Sequence, residues 1–320
     1  VEGQGLAQAQ KVFGYTRLMV AAFGLGAGVA ALEKAIEYST IRVQGGGLLG
    51  TKQAYTHKLL VPAAVRLEAA RSYIDFVAKR IDEGVQDATT EGAIAKLFAT
   101  EAGKFAADCA IQAHGGYGYI REYEVEKIAR DVRITTIYEG TSEILEWTVA
   151  RDRWQQHLKT RGAVWTDAAR AMSDLAAKHP DVGAELVASS LRAVGSVMER
   201  ARAARLTRHQ HVLFRLGELV TRAETAAAMC RWALTPDHDP PRAPAETLRA
   251  MARINARETL GFVVDEGMKM LRGCDAVDPS AVAEVARSLG VEEVWRGYGS
   301  QISDMDLVAR SLTGLELHGA

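Results

Sequence analysis

The stretch TEGAIAKLFATEAGKFAADCAIQAHGGYG, residues 90–118, decides the fold class of this chain of 320 residues. Its body is rich in Ala, with Glu and Lys at intervals, residues that lose little freedom on entering a helix. No proline occurs between Pro62 and Pro180, so nothing there forces a break. The run stops at Gly115-Gly116-Tyr117-Gly118, where glycine accommodates the left-handed backbone of a helix end. Residues 90–114 therefore read as one long helix.

Outward from this stretch the same pattern recurs. Over residues 6–38, Val20, Phe23, Leu25, Val29, Leu32 and Ile36 repeat at three- and four-residue steps. Gly45-Gly46-Gly47 then interrupts, as a helix connector or as a loop able to cradle a phosphate, although the Lys-Ser/Thr ending of a phosphate loop is missing. A helix over 53–83 follows, with Leu59, Val65, Tyr73 and Val77 on its apolar side. Pro62 inside it predicts a kink or a late start. A fourth helix opens at Thr141, a good N-cap, and runs to about residue 157. No useful strand pattern is visible, and four long antiparallel helices predict a bundle. Further helices are expected over 166–177, 182–232 and 244–271, with a polar loop at 236–241 and an aromatic cluster at Trp295 and Tyr298. The expected fold is all-α, a four-helix bundle over 1–158 followed by a second helical domain over 159–320.

Charge is balanced, with a net of −1, so no strong field favours nucleic acid. No run of about eighteen apolar residues appears. The most apolar segment, 18–32, carries Gly24 and Gly26 and reads as a buried helix. Cys109, Cys230 and Cys274 are scattered, which predicts a reducing, cytoplasmic setting rather than a disulfide framework. Val at position 1 suggests a start within a longer product or after processing. His209-Gln210-His211 does not place two ligands on one helix face, so no metal site is expected. The five tryptophans read as core or interface residues. The Arg-rich run 200–208 is either a solvated helix face or a surface for an anionic membrane.

The chemistry concentrates in 112–144. A glycine turn and a helix-start turn bracket a charged segment that contains Arg121, Glu122, Glu126, Lys127, Arg130 and Asp131. Backbone N–H groups at a helix start attract anions. Gly140 lets a ligand approach the backbone. Glu139 sits between Tyr138 and Gly140; a partly desolvated carboxylate there suits a general base, and a solvated turn glutamate is the alternative.

Gln112, Gly115-Gly116-Tyr117-Gly118-Tyr119, Arg130-Asp131 and Ile137-Tyr138-Glu139-Gly140-Thr141-Ser142-Glu143-Ile144 together resemble the carboxyl-terminal signature of acyl-CoA dehydrogenases. Gly3-Gln4-Gly5, Arg17, Tyr38, Arg42 and Gln53 extend the resemblance over residues 3–155. The resemblance implies an FAD enzyme in which Glu139 removes the α-proton of an acyl-CoA thioester and the β-hydrogen leaves as hydride to the flavin. It implies oxyanion stabilisation by the base's own backbone N–H. It also implies cofactor contacts by Arg42, Gln53, Gln112, Gly115, Gly116, Thr141 and Glu143, those of Gln112, Gly115 and Gly116 reaching a neighbouring subunit's flavin. Arg17 and Gly140 are the expected substrate-side residues. One branch of the family places its base just before the residue matching Arg17; here that position is Thr16, which cannot abstract a proton. The chain departs from the family where Arg42-Val43-Gln44-Gly45-Gly46 lacks the usual Phe, and where Gly14 replaces an acid. The family's amino-terminal and middle domains are not in this sequence, so a homo-oligomer or a partner chain would supply them. An electron-transfer flavoprotein is the expected acceptor. An acyl-CoA oxidase and a non-catalytic assembly subunit are the alternatives. Residues 160–320 resemble, less specifically, the helical extension of very-long-chain relatives.

Overall fold

The computed structural model describes residues 2–85, 87–235, 238 and 243–318; the polar loop expected at 236–241 lies, apart from His238, outside them. Helix dominates, as expected. In the first part of the chain these elements are α1 (Gly5–Ile41), a hairpin of β1 (Val43–Gln44) and β2 (Gly47–Leu48), the short α2 (Gln53–Tyr55), α3 (Val61–Asp82), α4 (Thr89–His114) and α5 (Val125–Arg133). They continue as α6 (Ser142–Thr160), α7 (Ala163–Lys178), α8 (Ala184–Ala203), α9 (Gln210–Trp232), α10 (Ala245–Gly273), α11 (Val282–Ser288), α12 (Val291–Gly297) and α13 (Gln301–Thr313).

Two compact units form. The first takes in residues 1–142, 235–251 and 301–320, the second 143–234 and 252–300. The units thus divide differently from a single cut after residue 158, because α13 returns to the first unit and packs on α1 and α3. The helix expected from 141 belongs to the second unit from Glu143 onward.

In the first unit, α1 and α4 run parallel rather than antiparallel and lie almost backbone to backbone. A Cβ added to Gly92 would meet Gly14 O at 2.4 Å, one on Gly103 would meet Gly24 O at 2.1 Å, and one on Gly28 would meet Gly103 Cα at 2.7 Å. Only glycine permits so close an approach. Buried alanines of α4, among them Ala95, Ala99, Ala106 and Ala110, continue the small-residue seam. By length and composition α1 would also suit a membrane span, but its inner side is committed to α3, α4 and α5.

Gly45 and Gly46, at φ 58° and 83°, form the two-residue turn of the hairpin, pairing Val43 with Leu48 and Gln44 with Gly47. Two successive positive φ values are what a type I′ hairpin requires. The connector expected here is therefore a tight strand pair. Pro62 falls in the first turn of α3, directly after a π turn at Thr56–Leu60. Without an N–H, and with its ring against the carbonyl four residues back, proline widens the preceding turn.

In the second unit, the helix expected over 182–232 is two helices. Arg205 adopts φ 54°, and buried Leu206 opens a 3-10 turn before α9. Neither Gly nor Pro marks the break; burial of Leu206 makes it. The α6 and α9 backbones touch where Gly217 meets Glu146 O, and Arg153 grips Glu224 with both Nε (2.6 Å) and Nη2 (2.9 Å). Trp165 and Trp232 are buried, whereas Trp147 and Trp295 are exposed. Arg200 donates to Ser288 and Arg202 to Glu199, tying two of the basic side chains in 200–208 to neighbours. His209 and His211 are both exposed.

Candidate active site

The segment after α5 tightens through a 3-10 turn at Ile134–Thr136 and reaches Glu139 at φ 58° and Gly140 at φ 102° before α6 begins. A left-handed glutamate is uncommon and costs about 1 kcal/mol or more unless its surroundings impose it. Here they do. Thr16 Oγ1 donates to Glu139 Oε2 at 2.6 Å, and Arg17 Nε to Glu139 O at 3.3 Å. Lys96 Nζ donates to Gly140 O at 2.8 Å, and Ser142 Oγ to Glu101 Oε1 at 2.7 Å. The first two anchors come from α1 and the last two from α4, the pair closed by the glycine seam.

Glu139 is half-buried, Arg17 is buried and Lys96 is fully buried. Among the described residues no backbone carbonyl accepts from the Glu139 N–H. Of the expected residues, the structure gathers Arg17, Glu139 and Gly140 at this turn. Thr16, dismissed as a base, is the hydroxyl that holds the carboxylate. Lys96 was not singled out; its one sequence signal is a lone cation inside the apolar run Ile94-Ala95-Lys96-Leu97.

At the other end of α4 lies a second feature. Arg42, Gln112, Gly115 and Gly116 line one cleft of about 650 Å³ together with Tyr38, Tyr55, His114 and Tyr117. Gly115 takes φ 60°, ψ −137°, a conformation for glycine, and a Cβ on Gly116 would meet open space. The backbone is thus bare where a ligand would lie against it. His114 stacks on Tyr38 at 4.4 Å and points Nδ1 at Ala110 O, 2.8 Å away; burial lowers its pKa, favouring the neutral ring. Tyr55 donates to Ala113 O at 3.1 Å, and burial raises its pKa, so the phenol stays protonated. Arg42 lies over the Tyr117 ring at 5.6 Å, and Tyr117 stacks on Tyr123 at 5.1 Å. Tyr117 therefore places an aromatic ring beside Arg42.

Gln53 does not line this cleft. Its Nε2 donates to Asp306 Oδ1 of α13 at 2.9 Å, and His57 Nε2 lies 3.0 Å from the same oxygen. Thr141 is half-buried just before α6, and Glu143 is exposed in its first turn. Lys96 and Gln112 stand roughly 24 Å apart along α4, at 1.5 Å per residue.

A carboxylate fixed on a left-handed turn, and a glycine-floored cleft at the far end of the same helix, define a helical domain equipped for a proton transfer at one end and an extended polar ligand at the other. Residues 3–153 match the family model described as acyl-CoA dehydrogenase, C-terminal domain, and over that segment the chain is similar to the acyl-CoA dehydrogenase family. It is 39% identical over 150 residues to an acyl-CoA dehydrogenase of Bacillus subtilis, covering 47% of this chain and 39% of the relative. It is 37% identical over 147 residues to the caffeyl-CoA reductase-Etf complex subunit CarC of Acetobacterium woodii, covering 46% and 38%. The chain thus spans about two fifths of the length of these relatives. In three dimensions, 98% of it matches 57% of an acyl-CoA dehydrogenase from Bacillus anthracis complexed with FAD, at a TM-score of 0.77 and 19% identity. That likeness is one of fold.

Proposed function

We propose that this chain supplies the base and one wall of the cofactor site of an FAD-dependent acyl-CoA dehydrogenase. The observation that carries the reading is the anchored left-handed turn, which holds the Glu139 carboxylate at a fixed point beside Thr16 and Arg17. With Oε2 engaged by Thr16, Oε1 is the oxygen that takes the α-proton of an acyl-CoA thioester. The Glu139 N–H is oriented by the same turn and suits the thioester carbonyl, where negative charge develops as the proton leaves. Preorganised donors of this kind stabilise such charge by about 3–4 kcal/mol.

The cleft at Gln112 fits FAD: a bare glycine floor, a guanidinium at Arg42 and an aromatic face at Tyr117 suit a dinucleotide's phosphates and base. When bound, FAD supplies the acceptor for the hydride from Cβ. The separation of the two ends along α4 supports a homo-oligomer, in which the cleft serves a neighbouring subunit's cofactor. Exposed Met19 and Phe23 on α1, with Ile134, Ile137 and Tyr138 near the turn, suit coverage by the family's remaining domains or a partner chain carrying them. An electron-transfer flavoprotein is the proposed acceptor. The free cysteines, two of them buried, fit a cytoplasmic setting.

The test reconstitutes the complete enzyme around this chain. It should be yellow and bleach on addition of an acyl-CoA, and Glu139→Gln should retain FAD yet fail to bleach. A Glu139→Gln form that bleaches at the wild-type rate removes Glu139 from the reaction. If no FAD is retained with any completing partner, the cofactor assignment falls.

A further inference from the structure

We infer that Lys96 is a positioning residue for Glu139, fixing the turn from beneath, with Glu101 closing its far end. The inference rests on the proposed role of Glu139 as base. Two peptide planes meet at Gly140. The plane before it carries Glu139 O, which accepts from Arg17 Nε; the plane after it carries Gly140 O, which accepts from Lys96 Nζ. Pinning both planes sets φ and ψ of Gly140, and with them the direction in which Glu139 leaves the turn. Ser142, two residues on, is tied to Glu101, so the turn cannot slide along α4.

The Lys96 side chain is a costly way to fill its place. It is wholly buried in the alanine-lined α4, among the largest fully buried side chains described, where a leucine would pack without desolvating a charge. Its ammonium reaches Gly140, whose φ of 102° favours glycine. The neighbour before it, Glu139, is held at a φ that glutamate seldom adopts. An expensive cation directed at a strained turn next to a candidate base is the pattern of a group kept for geometry rather than for stability. The Lys96 bond, at 2.8 Å, is shorter than the 3.3 Å contact of Arg17 Nε with the preceding carbonyl.

Two measurements test this. The first uses the 320-residue chain alone and needs neither cofactor nor substrate: amide hydrogen exchange of wild type and Lys96→Met. Exchange in 138–142 should rise about tenfold or more, while the rest of α1 and α4 changes little. Unchanged protection of the turn, or an even loosening of all of α4, overturns the inference. The second uses the assembled flavoenzyme with an acyl-CoA deuterated at the α-carbon. Lys96→Met should lower kcat about tenfold or more, leave KM within about twofold, and raise the isotope effect; Lys96→Gln, which keeps a neutral donor, should recover part of kcat. A fall in FAD retention or a rise in KM with kcat intact assigns Lys96 a structural role and overturns the inference. Should Lys96→Met not fold, Lys96→Gln carries both measurements in its place. An assembled enzyme that turns over normally with Glu139→Gln defeats the proposed function, while the exchange result still reports on the turn.

Discussion

Two glycine-to-alanine changes on neighbouring helices should move stability in opposite directions. A Cβ on Gly103 of α4 would stand 2.1 Å from Gly24 O and 2.8 Å from Gly24 C on α1. Carbon–oxygen contacts ordinarily begin near about 3.3 Å. The two backbones would have to separate by roughly 1 Å, because the two nearest atoms, Gly24 O and Gly24 C, are backbone that no rotamer change can clear. Overpacking of this kind costs about 1–3 kcal/mol and often more where backbone must shift. Replacing a helical glycine by alanine returns about 1 kcal/mol. Gly103→Ala should therefore lose up to about 2 kcal/mol, a Tm drop of as much as roughly 4–8 °C at about 2–4 °C per kcal/mol. Gly26 on α1 is exposed, and a Cβ there meets nothing within 4 Å, so Gly26→Ala should gain about 1 kcal/mol. Thermal unfolding followed by circular dichroism separates the two. A Gly103→Ala protein as stable as wild type would mean that α1 and α4 do not touch along this seam. The seam also sets the spacing between Thr16 and Lys96, so Gly103→Ala should raise exchange in the Glu139 turn.

Thr16→Val keeps the shape of the side chain but removes the donor to Glu139 Oε2; in the assembled enzyme kcat should fall about fivefold or more with FAD retention unchanged, and an unaltered kcat would show the hydroxyl to be incidental. Burial lowers the pKa of His57 below its ordinary 6.5, with the Asp306 carboxylate opposing the shift. The folded state then binds this proton less readily than the unfolded chain, so stability is full above 6.5 and declines as pH falls below it. Asp306→Asn removes the opposing charge, so the Tm difference between pH 7.5 and 5.5, both chosen to bracket the ordinary value by about 1 unit, should widen; an unchanged difference would exclude His57 as its source. Burial pushes the Cys230 thiol up to about 12 and the Cys109 thiol to about 11, so iodoacetamide should label half-buried Cys274 in the native protein and reach Cys230 only after unfolding, as peptide mapping would report.

The local features were legible from the sequence because their causes are local. Alanine-rich, proline-free stretches make helices wherever they are placed, and α4 ends where Gly115 ends it. The order Glu139-Gly140-Thr141-Ser142 identifies a turn, and Gln112 with Gly115-Gly116 identifies a glycine-floored helix end, since each lies within a few residues. Arg42 joins the latter only in the folded chain, although its resemblance to the family's arginine singled it out. Gln53 was singled out in the same way, yet the structure commits it to Asp306 instead.

What the sequence by itself made legible is therefore the helical class, the likeness to the acyl-CoA dehydrogenase C-terminal domain over residues 3–153, and the position of the candidate base. Tertiary structure alone decided how that base is held. Thr16 lies 123 residues from Glu139, and Lys96 lies 44 residues from Gly140, so no spacing rule links either pair. The parallel contact of α1 and α4, the split of the helix expected over 182–232 at buried Leu206, and the return of α13 to Gln53 and His57 were likewise settled by which surfaces bury against which. A lone lysine in a helix looks solvated until a neighbouring turn closes over it; here that turn carries Glu139, and only the packed chain brings the two together.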